Sequence, residues 1–86
     1  EAMTAAGVEL GLDEATATLM ANRTILGAAA LLDVADESAG ELRRQVTSPG
    51  GTTAAAIAAL DAAGVDSALR AAVGAARDRS RELSGQ

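Results

Sequence analysis

Residues 46–53, Val46-Thr47-Ser48-Pro49-Gly50-Gly51-Thr52-Thr53, gather the only proline of the chain, two adjacent glycines and four hydroxyl side chains. Ser48-Pro49-Gly50-Gly51 has the residue order of a type II turn, with proline at its second position and glycine at its third. An alanine-rich run, residues 54–63, follows at once and reads as helix. The first N–H groups of a helix lack intrahelical partners, and the helix dipole adds partial positive charge at that end. Glycine lets a ligand come close to the backbone, and Thr52 and Thr53 add hydroxyls that donate or accept. Together these suit a small anion, a carboxylate or a phosphate. An ordinary capped turn between two helices explains the same residues equally well, and both readings stand at this point. The loop is not a Walker A motif, since it lacks the G-x-x-x-x-G-K-[ST] spacing and its lysine. Nor is it a dinucleotide fingerprint, since G-x-G-x-x-G is absent and no strand precedes it.

Other candidate chemistry is thinner. The chain has no cysteine and no histidine, which excludes disulfides, thiolate zinc sites and histidine general bases. Asp36 and Glu37 stand side by side and could ligate a metal or do acid–base work. Such a pair is more often simply solvated, no third ligand is spaced nearby, and no metal site is assigned. Asn22 and Arg23 interrupt an apolar segment. A solvated face is preferred for them over contact with a partner subunit.

The loop needs a scaffold, and the rest of the sequence reads as helices. Residues 1–6 look like the tail of a helix whose beginning lies outside the chain. Gly7-Val8 is expected to stop it in a Schellman motif, Val8 packing back on Met3. After a connection over 9–12, Asp13 caps a helix over 14–34 with Glu14 in its first turn. Residues 33–37 are acidic and break the periodicity. Ser38 and Glu41 form a capping box that opens a short helix over 39–46. Beyond the loop, a helix over 52–63 is expected to bury Thr53, Ala56, Ile57 and Leu60 along one stripe. Gly64-Val65 repeats the glycine stop, with Val65 on Leu60. Asp66 is expected to cap a last helix over 67–83. Its stripe is Leu69, Ala72, Val73, Ala76, Ser80 and Leu83, at amphipathic spacing. Residues 84–86 fray. No segment alternates as a strand does, so the fold class is all-α with about five helices, the first one truncated.

Eighty-six residues make at most one small domain, residues 1–86, with a marginal core. Alanine supplies 23 residues, and there is no Phe, Trp or Tyr. Alanine favours helix but fills little volume, so the missing core is expected from a partner subunit. The net charge of −5 is uneven: −7 over residues 1–42 and +2 over 43–86. Neither half has the clustered basic charge of a nucleic-acid surface. No apolar run is expected to reach the roughly 18–20 residues of a membrane span, and no signal peptide is visible, so a cytoplasmic protein is expected.

At the loop the sequence resembles the C-terminal domain of pyrroline-5-carboxylate reductase. That family carries a leucine on a short helix, a few polar residues, V-[ST]-S-P-G-G-x-T, then alanine-rich helix ending in L-[DE]. Here the pattern runs from Leu42 through Val46-Thr47-Ser48-Pro49-Gly50-Gly51-Thr52-Thr53 to Ile57 and Leu60-Asp61. Upstream, Glu1-Ala2, Gly7-Val8 and Gly11-Leu12 resemble E-A-x-x-x-x-G-V-x-x-G-L. Gly64-Val65 and Arg79-Ser80-Arg81-Glu82-Leu83 resemble the family's ending.

The resemblance implies an intertwined helical dimerisation and substrate domain, a homodimer that extends to ring-like oligomers, and reduction of 1-pyrroline-5-carboxylate to L-proline with NADPH or NADH. The nucleotide would be bound by an N-terminal Rossmann domain outside this chain, so the chain alone binds no cofactor and is expected to be inactive. Backbone N–H groups at Gly51, Thr52 and Thr53 would hold the substrate carboxylate, with Ser48 lining its pocket. The Thr53 hydroxyl would meet the ring nitrogen as the catalytic contact, and Val46 would lie against the ring. The alternative is a non-catalytic helical oligomerisation module whose residues 47–52 are only a turn. A phosphate-ligand binder is a third option.

Overall fold

A computed structural model describes residues 1–85. It contains five α-helices: α1 (Ala2–Glu9), α2 (Glu14–Val34), α3 (Ala39–Gln45), α4 (Thr52–Ala62) and α5 (Val65–Ser84). Among the described residues there is no strand. The chain divides into two compact units, Glu1–Arg43 and Arg44–Gln86.

In the first unit α1 packs on α2. Their close approach is set by Gly7 and Ala17. A Cβ placed on Gly7 would lie 3.0 Å from the Ala17 Cβ, and the Leu12 side chain stands 3.4 Å from that same point. Ala17, 3% exposed, is the only buried residue of those described. Gly7 is therefore inside α1 and not at its end, which corrects the expected stop at Gly7-Val8. The stop lies four residues on. Gly11, at φ +110°, takes the left-handed position. The Leu12 N–H donates to the Gly7 carbonyl and the Gly11 N–H to the Val8 carbonyl, both at 3.0 Å. Those two bonds are the Schellman pair. A glycine followed by an apolar residue occurs at both places, and the tight approach of Ala17 decides between them.

α2 begins as the sequence predicts. The Asp13 side chain accepts the Thr16 backbone N–H at 2.8 Å and the Thr16 hydroxyl at 3.0 Å. With 21 residues, α2 is long and apolar enough to cross a bilayer by length and composition alone. This corrects the expectation that no run reaches that length. Arg23 sits one residue from the midpoint of α2, where a cation in hydrocarbon costs about 2.5–3.5 kcal/mol. We therefore read the apolar surface of α2 as one for protein contact. Leu19, Ile25, Leu26 and Leu31 on it are all more than half exposed.

α3 opens with the Glu41 N–H donating to the Ser38 Oγ at 3.2 Å, and it ends one residue before the predicted Val46.

In the second unit α4 and α5 touch only lightly. The stripe expected to be buried on α4 is only partly covered: Thr53 and Ile57 are half-buried, while Ala56 and Leu60 are exposed. Leu69, Val73 and Leu83 of α5 are exposed as well. α5 also starts two residues earlier than predicted. Gly64, at φ +75°, ends α4 and is itself the N-cap of α5, so Asp66 falls in the first turn. There it pairs with Arg70, one turn on, at 2.7 Å. Both side chains are solvated, so the pair adds at most about 1 kcal/mol.

Two measurements check this account. Gly7→Ala gains about 1 kcal/mol of helix propensity but forces α1 off a neighbour that has no rotamer to move. Overpacking costs of about 1–3 kcal/mol outweigh that gain, so urea unfolding should show a net loss of stability. The second concerns Asp13, whose carboxyl is held below its ordinary 3.8, first by the Thr16 backbone N–H bond. A depressed carboxylate stabilises the fold above the unfolded value and stops doing so as pH falls through the folded one. Asp13→Asn keeps a capping oxygen but removes the titration. Thermal melts of the variant should lose this part of the acid dependence below about pH 4.

Candidate functional site: the loop before helix α4

The loop is built by one turn. The Gly51 N–H donates to the Ser48 carbonyl at 3.0 Å, closing residues 48–51. Gly50 stands at φ +73°, the conformation that the third position of a type II turn requires. The predicted turn type is therefore the observed one. Just upstream, the Thr47 N–H closes on the Arg44 carbonyl at 3.2 Å as α3 ends.

The turn delivers the chain to the start of α4 with Gly51 as N-cap, at φ −83° and ψ 176°. Glycine has no side chain to cap with, and no side chain caps this helix. The first intrahelical bond runs from the Ala55 N–H to the Gly51 carbonyl at 3.1 Å. The N–H groups of Thr52, Thr53 and Ala54 are thus without a partner among the described residues. α2 and α3 differ in this respect, since Asp13 and Ser38 occupy their N-termini. An uncapped N-terminus with its dipole is an electropositive end that attracts an anion.

The predicted site residues fall around this end. Thr52 and Thr53 are the first two residues of α4, Thr52 exposed and Thr53 half-buried. Ser48 is exposed at the turn, and Val46 is 65% exposed just before it. Gly51 holds its own N–H in the turn bond, so the donors open to a ligand begin at Thr52. Sequence reasoning missed the role of Ala54, whose N–H completes the open set. Its signal was present: with no capping side chain at Gly51, the third helical N–H has nothing to bind.

Other polar groups do not converge. Asp36 and Glu37 are exposed in the bend between α2 and α3. Among the described residues no group of three or more acids is arranged to hold a metal ion. An open groove lies in the first unit, lined by Thr4, Ala5, Val8, Glu9, Thr18 and Asn22 among others. Its charged side chains are all acidic, which disfavours an anion there.

Alanine-rich helices that leave their larger apolar side chains uncovered, joined by a loop with open backbone donors, define a helical association domain. The chain belongs to the pyrroline-5-carboxylate reductase dimerisation family, whose model matches residues 1–83. It is similar to the pyrroline-5-carboxylate reductase of Pseudomonas aeruginosa, 45% identical over 86 residues, covering 100% of this chain and 32% of that protein. The enzyme of that name from Pisum sativum is 44% identical over 84 residues, covering 98% and 31%. That from Synechocystis is 45% identical over 83 residues, covering 96% and 31%. The chain spans roughly a third of the length of these curated relatives.

Proposed function

We propose that this chain is the dimerisation and substrate-carboxylate part of a pyrroline-5-carboxylate reductase, which reduces 1-pyrroline-5-carboxylate to L-proline. The observation that carries the reading is the bare N-terminus of α4 behind a type II turn, in a chain of that family. A hydride can be delivered to a C=N carbon only if the ring is held in one orientation. A carboxylate gives the protein a handle for that. The N–H groups of Thr52 and Thr53 hold it, Gly51 lets it approach the backbone, and the Ser48 hydroxyl lines its side. The Thr53 hydroxyl meets the ring nitrogen, and Val46 covers the ring face. This is orientation more than acid–base chemistry. Within this chain, which has no His, Lys, Cys or Tyr, the routes for a proton to nitrogen are water and the Thr53 hydroxyl.

The hydride donor, NADPH or NADH, does not fit this chain. The described residues hold no strand, and the sequence holds no G-x-G-x-x-G to cradle a dinucleotide. The reading therefore assigns the nucleotide to an N-terminal Rossmann domain in the full-length protein. It also assigns the exposed faces of α2, α4 and α5 to a second copy of the chain, in a homodimer that extends to rings.

In the full-length protein, Thr53→Ala should lower kcat/KM tenfold or more, about 1.4 kcal/mol of transition-state contact. Unchanged kinetics would remove Thr53 from the mechanism. Absence of heat on titration with proline or a cyclic carboxylate would leave the loop as the ordinary turn of an oligomerisation module. Competition by phosphate where proline has none would make it a phosphate site. Sedimentation at micromolar concentration should report at least a dimer, and a stable monomer would overturn the association part of the reading.

A further inference from the structure

The two glycines of the turn are needed for different reasons. Gly50 has open space where a side chain would be, and only its φ of +73° calls for glycine. Gly51 is the reverse. Its φ of −83° and ψ of 176° suit any residue, but a Cβ there would lie 2.6 Å from the Ser48 Oγ and 3.1 Å from the Ser48 carbonyl oxygen. The Ser48 hydroxyl occupies the space that a side chain at position 51 would take. That space borders the residue from which α4 starts.

We infer that Gly51 is a positioning residue: its bare α-carbon makes room for the Ser48 hydroxyl to stand beside the open N–H groups of α4. The inference rests on the carboxylate reading above and names what keeps Ser48 in that site. A methyl at 51 pushes the hydroxyl into another rotamer, and Ser48 is exposed, so its side chain has room to turn away. The φ/ψ of position 51 suits any residue, and replacing glycine there reduces the freedom of the unfolded chain, which offsets the small shift that the Ser48 carbonyl oxygen, 3.1 Å from the new methyl, must make. Substrate affinity and fold stability therefore respond differently to one substitution.

The test is a double-mutant cycle in the full-length reductase, reading KM for the cyclic imino acid, kcat and the melting temperature. Gly51→Ala should raise KM about tenfold, the scale of one lost hydrogen bond to a charged group, with kcat and melting temperature little changed. Ser48→Ala should raise KM to a similar extent. The double variant should be no worse than either single one, because the methyl then has no hydroxyl to displace. Wild-type KM in Gly51→Ala overturns the inference, and so do multiplying effects in the double variant, which would mean that the methyl meets the ligand directly. If Gly51→Ala alone fails to fold, the double variant should recover folding, and its failure to do so is equally fatal. Calorimetric titration of the wild-type protein with proline separates the two levels. Absence of heat undoes the carboxylate reading, whereas heat beside a silent Gly51→Ala undoes only the role of Gly51.

Discussion

Side-chain volume is the constraint from which the rest of this structure follows. Helices made largely of alanine come together closely, but each contact removes little apolar surface from water. α1 meets α2 where a glycine faces an alanine, and Ala17 is the single side chain among the described residues that this approach buries. The folded chain keeps 6976 Å² accessible. An extended chain of 8.5 kDa would expose roughly 12,300 Å². Folding therefore removes a little over two-fifths of the surface, short of the roughly 60% usual at this size. A fold with that deficit is completed by association, and the dimerisation family to which the chain belongs agrees with that arithmetic.

The loop before α4 is shaped by local means. Its geometry comes from one turn bond, one left-handed glycine and one helix start, all within residues 48–55. None of these needs the core that the chain lacks. The electropositive end of α4 thus has its shape set by nearby backbone bonds, while the long helices hold their apolar faces out for a partner. The open backbone donors and the exposed apolar faces belong to different residues of one small sequence.

Much of this was legible beforehand because it is local. The span of α2, the Asp13 and Ser38 caps and the type II turn each depend on residues within four positions of one another. What sequence reading misplaced depends on approach through space. Gly7 and Gly11 offer the same glycine–apolar signature, and only the position of Ala17 shows which of them packs and which turns. The burial expected for Ala56 and Leu60 presumed a surface within the chain to receive them, and that surface is missing from the described residues. The start of α5 was set too late because Asp66 resembles a cap, whereas Gly64 had already turned the chain into the helix. The donor set at α4 shifted by one residue for a similar reason: the Gly51 N–H closes the turn, so Ala54 takes a place among the open groups.

Gly64 has a wider effect than a single cap. It closes α4 through its bond to the Asp61 carbonyl, at 3.1 Å, and its own carbonyl accepts the first bond of α5, from Ala68, at 3.0 Å. Only Ala63 and Gly64 lie between the two helices. The direction in which α5 leaves α4 is therefore set at this joint. The loop hangs from the far end of α4, eleven residues or about 16 Å of rigid rod away. The open N–H groups and the joint to α5 thus stand at opposite ends of one helix.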